Sequence, residues 1–412
     1  MLRAPVRDDL PMPVHPDPAD RRSPQDPRPA ARAQPPGGAW ATASPDDGKL
    51  TLVLTGDVMS GRGVDQAMRH PVDPTLHESW VKDAREYLRL AEAAHGPVPR
   101  PVPAAYPWGG ALEAMALRAP ALRIVNLETA VTTASTPWPG KGVHYRMHPA
   151  HVDFLQVAGI DACTLANNHV LDWGRDGLAQ TLDSLRAAGI RTAGAGRDED
   201  EAMAPAVWPL PAARLLLFAV AEPDSGVPRA WAAHGGSSGV ALLPDLSPSS
   251  ADRLARHIAA HRGPGDLVVL SIHWGGNWGL DIPPAHRRFA RRLIDAGAVD
   301  LLHGHSSHHP MPLEIHRGRL VLYGCGDLVN DYEGIGGTRA QQGLPGDIGC
   351  LHVATLRLDD HTLADLEIAP FQRRRLRLEP AGDAQREWLA RHVMRASTPD
   401  PRVRLAGGRA GA

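Results

Sequence analysis

Cysteine is scarce in this chain: Cys163, Cys325 and Cys350 are the only three in 412 residues. No two of them form a CxxC pair, which disfavours both a disulfide framework and a structural thiolate zinc site. The odd count, with two cysteines inside strand-like runs, fits reduced and buried thiols. No run of eighteen apolar residues occurs, so no candidate transmembrane helix is read. The amino-terminal stretch has no apolar core of the kind a secretory signal requires, and a cytoplasmic location is the expectation. Charge of one sign is also missing: the formal net charge is −2. No basic field invites nucleic acid, and no acidic tail is present. What remains, 43% hydrophobic and 22% charged residues, is the balance of a soluble globular protein.

The distribution along the chain is uneven. Residues 1–47 are dense in Pro, Ala, Arg and Asp without periodicity, and such a segment cannot bury enough apolar surface to fold. Order is expected from "KLTLVLTGDVMSGR", whose branched residues read as a buried strand. Helix-like "ESWVKDAREYLRLAEAAHG", strand-like "LRIVNLE" and "DACTLA", and helix-like "GRDGLAQTLDSLRAAG" follow. The strands "ARLLLFAV", "DLVVLSIHW" and "VDLLHGH" then alternate with the helices "SADRLARHIAAHRG" and "AHRRFARRLIDAG". "LEIHRGRLVLYGCGD" and "GCLHVATLRLDDHTLADLEIAPFQ" read as hairpins. This order predicts an α/β layered domain over 48–375 with some antiparallel edges. Residues 376–412 are expected to hold a helix and a loose tail.

The informative feature is where polar residues interrupt this pattern. Asp57, Glu128, Asn168 with His169, His273, and His303 to His309 each fall at the carboxyl end of an expected strand. In an α/β sheet those ends share one edge, where ligands bind. Taken singly, each has a plain explanation: turn residue, helix cap or core histidine. Taken together, carboxylates, an amide oxygen and imidazoles form a ligand set suited to divalent Mn, Fe, Zn or Mg, one ion or two.

The motifs "LTGDVMSGR", "VNLETAVT", "LANNHVLDWGRDGLAQTLDSLRAAGI", "IHWGGNW" and "HGHSSHHPMPLEIHRGRLVLYGCGD" resemble, in order, those of the CapA family. These are capsule or poly-γ-glutamate synthesis proteins similar to calcineurin-like metallophosphoesterases. The resemblance runs from about Leu50 to about Phe371. It implies a β-sandwich flanked by helices, with a metal crevice at the strand ends. It also implies Asp57 and His308 as ligands of a first metal, and Asn168, His273 and His305 as ligands of a second. Glu128 stands at the bridging position, and His169 is the imidazole that assists the leaving group.

Two departures set this chain apart. Asp57-Val58-Met59 places a thioether where a phosphoesterase has a ligating histidine, and Met is a poor partner for hard ions. The last motif has two residues between His305 and His308 instead of one. Both changes predict a weakened first site, which Met59→His would strengthen. Arg62 is a candidate to hold an anionic substrate group in compensation, since its planar fork matches phosphate or carboxylate. Lys141 and Arg146 are candidates to line the crevice, Asp172 and Trp173 to orient the histidine block or cap the next helix, and Asp327 reads as a hairpin-end residue.

The resemblance implies a metal-dependent hydrolase-like enzyme of capsule or poly-γ-glutamate synthesis or remodelling, using metal-bound water on an anionic substrate. A polyglutamate-type polymer and membrane-bound synthesis partners, reached by peripheral association, are the implied partners. A non-catalytic polymer-binding accessory component and a phosphoesterase unrelated to capsule remain as alternatives. The aperiodic amino terminus yields the first prediction. Deleting residues 1–45 leaves the thermal midpoint and metal content unchanged; a marked drop in the midpoint would show that this segment packs on the domain.

Overall fold

The computed structural model describes residues 48–335 and 343–407, and the expected aperiodic segment 1–47 lies outside the described residues. The first strand, Lys49–Val58, is where the sequence places it and is buried along nearly its whole length. On one side it pairs in parallel with Leu122–Leu127, which continues through Ala162–Thr164 to Arg191–Ala193. On the other side Ile348–Arg357, Leu363–Arg374 and Arg377–Pro380 follow in antiparallel order. A second, six-stranded sheet runs Ala206–Pro209, Arg214–Ala221, Leu267–His273, Leu301–His305, Arg319–Leu322, Leu313–His316. Its inner strands are parallel and both its edges antiparallel.

Side-chain alternation explains why these sheets stack. Leu215, Leu217, Leu267, Val269, Leu301, Leu320 and Leu322 point into the core shared with the larger sheet. Their neighbours Leu216, Phe218, Val268, Leu270, Leu302 and Val321 face the opposite way. A strand has a side-chain period of two, so a continuous apolar run covers both faces. The outer face of the second sheet is capped by helices Pro248–His261 and Pro284–Asp295, through Leu254, Ile258, Phe289 and Leu293. Helix Gly174–Ala187 adds Leu178, Leu182 and Leu185, one stripe at helical spacing, to the larger core. The result is the expected α/β layered arrangement, a β-sandwich flanked by helices.

Two expectations need correction. Helical spacing from Glu78 onward forms helix only over Arg85–His95; Glu78 is instead buried in an ion pair with Arg62. The boundary expected at 375 also falls within the sheet. Arg377–Pro380 and Val403–Leu405 both pair with Leu363–Arg374, so the supposed loose tail supplies a strand. The expected helix is present at Asp383–Leu389.

The carboxyl ends of the parallel strands from both sheets open on one edge. There the first strand changes partner. Up to Thr55 it pairs with Ile348–Arg357, and at Asp57 it pairs with the short strand Asp327–Val329. The switch demands a close backbone approach at Gly56. A Cβ there would lie 1.6 Å from the carbonyl oxygen of Gly326, which itself sits at φ 74°. Gly56→Ala is therefore expected to destabilise the fold by about 3 kcal/mol or more, as overpacking against backbone does. Urea unfolding of the two proteins would check this; equal midpoints would contradict the close approach.

Candidate metal centre

Asp57 is the last-but-one residue of its strand and is fully buried. Asn126, two residues before Glu128 on the next strand, donates from Nδ2 to Asp57 Oδ1 at 2.7 Å and lies 3.4 Å from Glu128 Oε2. The two carboxylates are thus held side by side through one amide. From the second sheet, His273 and His305 end adjacent parallel strands in direct register. Their Nδ1 atoms approach to 2.8 Å, and His305 Nδ1 lies 3.9 Å from Asp57 Oδ1. Ser271 holds the far nitrogen of His305 at 2.7 Å, which leaves Nδ1 as the atom presented to the crevice.

The asparagine–histidine block divides its labour. Asn167 is structural: its Oδ1 accepts from the backbone N–H of His169 and Val170, and its Nδ2 reaches Leu127 O and Asn126 Oδ1. The adjacent Asn168 keeps a buried Oδ1 that finds no hydrogen-bond partner. His169 is aligned by Asp172, whose Oδ2 lies 2.6 Å from Nδ1. Nε2 is then the outward atom, 3.8 Å from Glu128 Oε1. Lys141 pairs with Asp172 and also reaches Asn168 O.

Among the described residues, donor atoms converge in two groups, Asp57–His273–His305 and Asp57–His308–Asp327. Asp57 is common to both, so the carboxylate that the resemblance assigned to the first metal alone is shared. Asp327 is the residue that sequence reasoning set aside. It lies opposite Asp57 in parallel register, accepts from Asn330 Nδ2 at 2.7 Å and lies 2.8 Å from His308 Nδ1. Its signal in the sequence was present but weak: an Asp after "LYGCG" repeats the strand–Gly–Asp pattern of "LTGD". At 59, where the resemblance expects a ligating histidine, buried Met59 accepts a contact from the Tyr332 hydroxyl at 3.7 Å, and it is Asp327 that stands with Asp57 and His308. The extra residue between His305 and His308 has a local explanation too. Ser306 adopts φ 100°, a rare conformation for a non-glycine residue, and turns the chain so that His308 still reaches this group. Its backbone N–H points to Asp57 Oδ2 at 3.3 Å.

Arg62 is elsewhere, contrary to the expectation that it holds a substrate anion. Its guanidinium is buried, donating to Glu78 and to both oxygens of Asp331. The rings of Tyr87 and Tyr145 stack on it at 3.8 and 4.3 Å. The donors that would grip an anion are already paired. His303 and His309 also face away from the ligand groups, towards the carbonyls of Thr55 and Pro310.

Burial controls the electrostatics. It raises the Asp57 carboxyl to about 7, with the charge of Asp327 adding to the effect. Burial and then Asp57 push Glu128 well above the usual carboxylate range. Burial would raise Asp327 as well, but His308, with Arg373 and Asn330, outweighs it and holds that carboxyl low. Burial lowers His169 to about 4, against the pull of Asp172, and takes His273 and His305 well below the usual imidazole range. An imidazole approaches each of the two crowded carboxylates, His305 at 3.9 Å from Asp57 and His169 at 3.8 Å from Glu128. Asn168 Oδ1 and His273 Nε2 are buried lone-pair donors without a hydrogen-bond partner. Neutral imidazoles, crowded carboxylates and an orphaned amide oxygen are what a divalent cation would satisfy. The residues fit one.

Over this whole region, residues 51–332, the chain matches the model of the bacterial capsule synthesis protein PGA_cap family. The chain belongs to that family. All the residues of the two donor groups, Asp57 through Asp327, lie inside the matched span. Two strains of Mycobacterium tuberculosis have a probable polyglutamine synthesis accessory protein 42% identical over 350 residues, covering 84% of this chain and 91% of that protein. The capsule biosynthesis protein CapA of Bacillus anthracis is 24% identical, over 69% of this chain and 60% of its own length. Among solved structures, a novel phosphatase of Mycoplasma pneumoniae gives a TM-score of 0.42 at 12% identity, over 84% of this chain and 99% of that one.

For this CapA-type site, Asp327→Asn is expected to weaken retention of one divalent ion by about tenfold or more, since it removes a buried charged ligand. Equilibrium dialysis against a mild chelator, with metal counted per chain, would check it. Unchanged retention in Asp327→Asn alongside a gain in Met59→His would return the role to position 59.

Proposed function

We propose that this CapA-family protein is a metal-dependent hydrolase-like enzyme acting on an anionic substrate in capsule or polyglutamate-type polymer synthesis or remodelling. Asp57, His273 and His305, with Asn168 beside them, would hold one divalent ion. Asp57, His308 and Asp327 would hold a second, with Glu128 beside Asp57. When bound, such an ion supplies Lewis acidity towards a carbonyl or phosphoryl oxygen.

The observation that carries a catalytic reading is the Asp172–His169 couple. Asp172 accepts the Nδ1 proton of His169 and leaves an Nε2 lone pair facing Glu128 and the crevice. This is the arrangement that orients an imidazole for proton transfer, and holding a polymer alone does not call for it. His169 was expected as a proton donor to the leaving group. With Nδ1–H committed to Asp172, its resting role is acceptor. It takes a proton from the attacking water and then passes the same proton to the leaving oxygen or nitrogen, so the proton count balances over the turnover. Lys141, paired to Asp172, keeps that carboxylate ionised and in place.

The accessory reading has its own support in the name of the 42% identical relatives. In that reading the crevice holds carboxylates of a polymer and no bond is cut. The two are separated by incubating purified, metal-loaded protein with a γ-linked polyglutamate and with a phosphodiester dye. His169→Ala should lower turnover by about a hundredfold or more while metal content stays at the wild-type value. Asp172→Asn should act in the same direction by favouring the wrong tautomer. Wild-type protein that binds polymer and metal but cleaves nothing would establish the accessory reading instead.

A further inference from the structure

A concave site is walled in part by Trp173, the residue after Asp172. It is a cavity of about 480 Å³ whose polar walls are Arg146, His77, His148, Thr133 and Ser135, with Trp173 as its aromatic wall. Arg146 is nearly fully buried, at 7% exposure. Its Nη1 donates to the carbonyl of Ala134 at 2.6 Å and its Nη2 to that of Asp73 at 3.1 Å. Its Cζ stacks 3.8 Å from the centroid of Trp173. Among the described residues no carboxylate oxygen lies within 4 Å of this guanidinium, in contrast to the doubly paired Arg62.

Asp73 also lines the cavity, but its Oδ1 accepts the Thr75 backbone N–H at 2.8 Å. A guanidinium stays charged at any physiological pH. Here it is fixed by neutral carbonyls and an indole face, and it shares an open cavity with the Asp73 carboxylate, which acts on it electrostatically without forming an ion pair within 4 Å. Imidazole and hydroxyl donors surround it.

We propose that this cavity is a subsite for a carboxylate group of an acidic chain. The planar fork of arginine matches a carboxylate better than a neutral carboxamide. Position ties the subsite to the crevice. Trp173 walls the cavity and donates from Nε1 to Tyr145 O, while the preceding residue, Asp172, aligns His169. One short loop therefore serves both places. An acidic chain anchored at Arg146 would be held next to the crevice. The inference rests on the reading of an anionic polymer as the substrate class, and it does not need the crevice to be catalytic.

The test is calorimetric titration of the full-length protein, stripped of metal by chelation, with a short γ-linked oligoglutamate. Parallel titrations use the matching oligoglutamine and inorganic phosphate. Oligoglutamate binding should survive metal removal and the Asp57→Asn substitution, while oligoglutamine should not bind. Arg146→Gln should weaken it by about tenfold or more, the loss expected for one charge-assisted hydrogen bond. Because Arg146 is buried, Ser135→Glu at the exposed rim is the companion variant, and its added carboxylate should repel the ligand to a similar degree. Oligoglutamate binding unchanged in Ser135→Glu, or unchanged in a folded Arg146→Gln, would overturn the subsite. Equal affinity for oligoglutamine, or tighter binding of phosphate, would overturn the carboxylate assignment. Absence of hydrolysis in the metal-loaded protein bears only on the catalytic reading.

Discussion

Burying the Asp57, Glu128 and Asp327 carboxylates together, between two apolar sheets, is the constraint on which the rest of this structure depends. Taking each out of water costs several kcal/mol unless charge or hydrogen bonds replace the lost hydration. The chain supplies part of that replacement: Asn126 bridges Asp57 to Glu128, and Asn330 and His308 hold Asp327. The remainder is visible as raised carboxyl pKa values and as lone pairs on Asn168 and His273 that find no partner. A fold optimised for stability alone would not carry this arrangement. Divalent cations would resolve it, with Asp57 as the ligand both would share.

The architecture around the site is organised to tolerate that strain. Gly56 and Gly326 let two backbones meet closely enough for Asp57 and Asp327 to stand opposite each other. The ion pair between Arg62 and Asp331 then ties the loop after Met59 to the segment after Asn330, just beyond those carboxylates. This buried guanidinium is a clamp, and its tyrosine neighbours extend the clamp to the site. Tyr145 packs edge-on against His169 at 4.7 Å, and Tyr332 against His308 at 5.5 Å. Arg62 thus serves the crevice at one remove, by fixing the aromatic floor under both histidines.

Much of the site was legible in the sequence because strands announce themselves and their carboxyl ends are easy to locate. Apolar runs such as "LVVLSI" fixed where His273 must emerge, and the same logic placed Asp57, Glu128, His169 and His305. Asp327 was harder to see. It begins a three-residue strand, and only the tertiary switch of partner at Gly56 brings it to the crevice. The role of Arg62 was misread for a related reason. Its partners are 16 and 269 residues away, a separation that no local pattern encodes. The left-handed turn at Ser306, which absorbs an added residue without moving His308 out of reach, has no sequence signature, because serine rarely adopts it. The carboxy-terminal strands escaped notice because they are short and polar and gain their order by pairing at the sheet edge.

The central claim, that Asp57 is the common ligand of two cation sites, is tested most directly by counting divalent ions retained per chain in wild-type protein and in Asp57→Asn. Wild-type protein should retain two ions after dialysis, one for each donor group that contains Asp57. The account predicts that the single substitution empties both, with the fold preserved by circular dichroism. An Asp57→Asn protein that keeps one ion at wild-type affinity would contradict it.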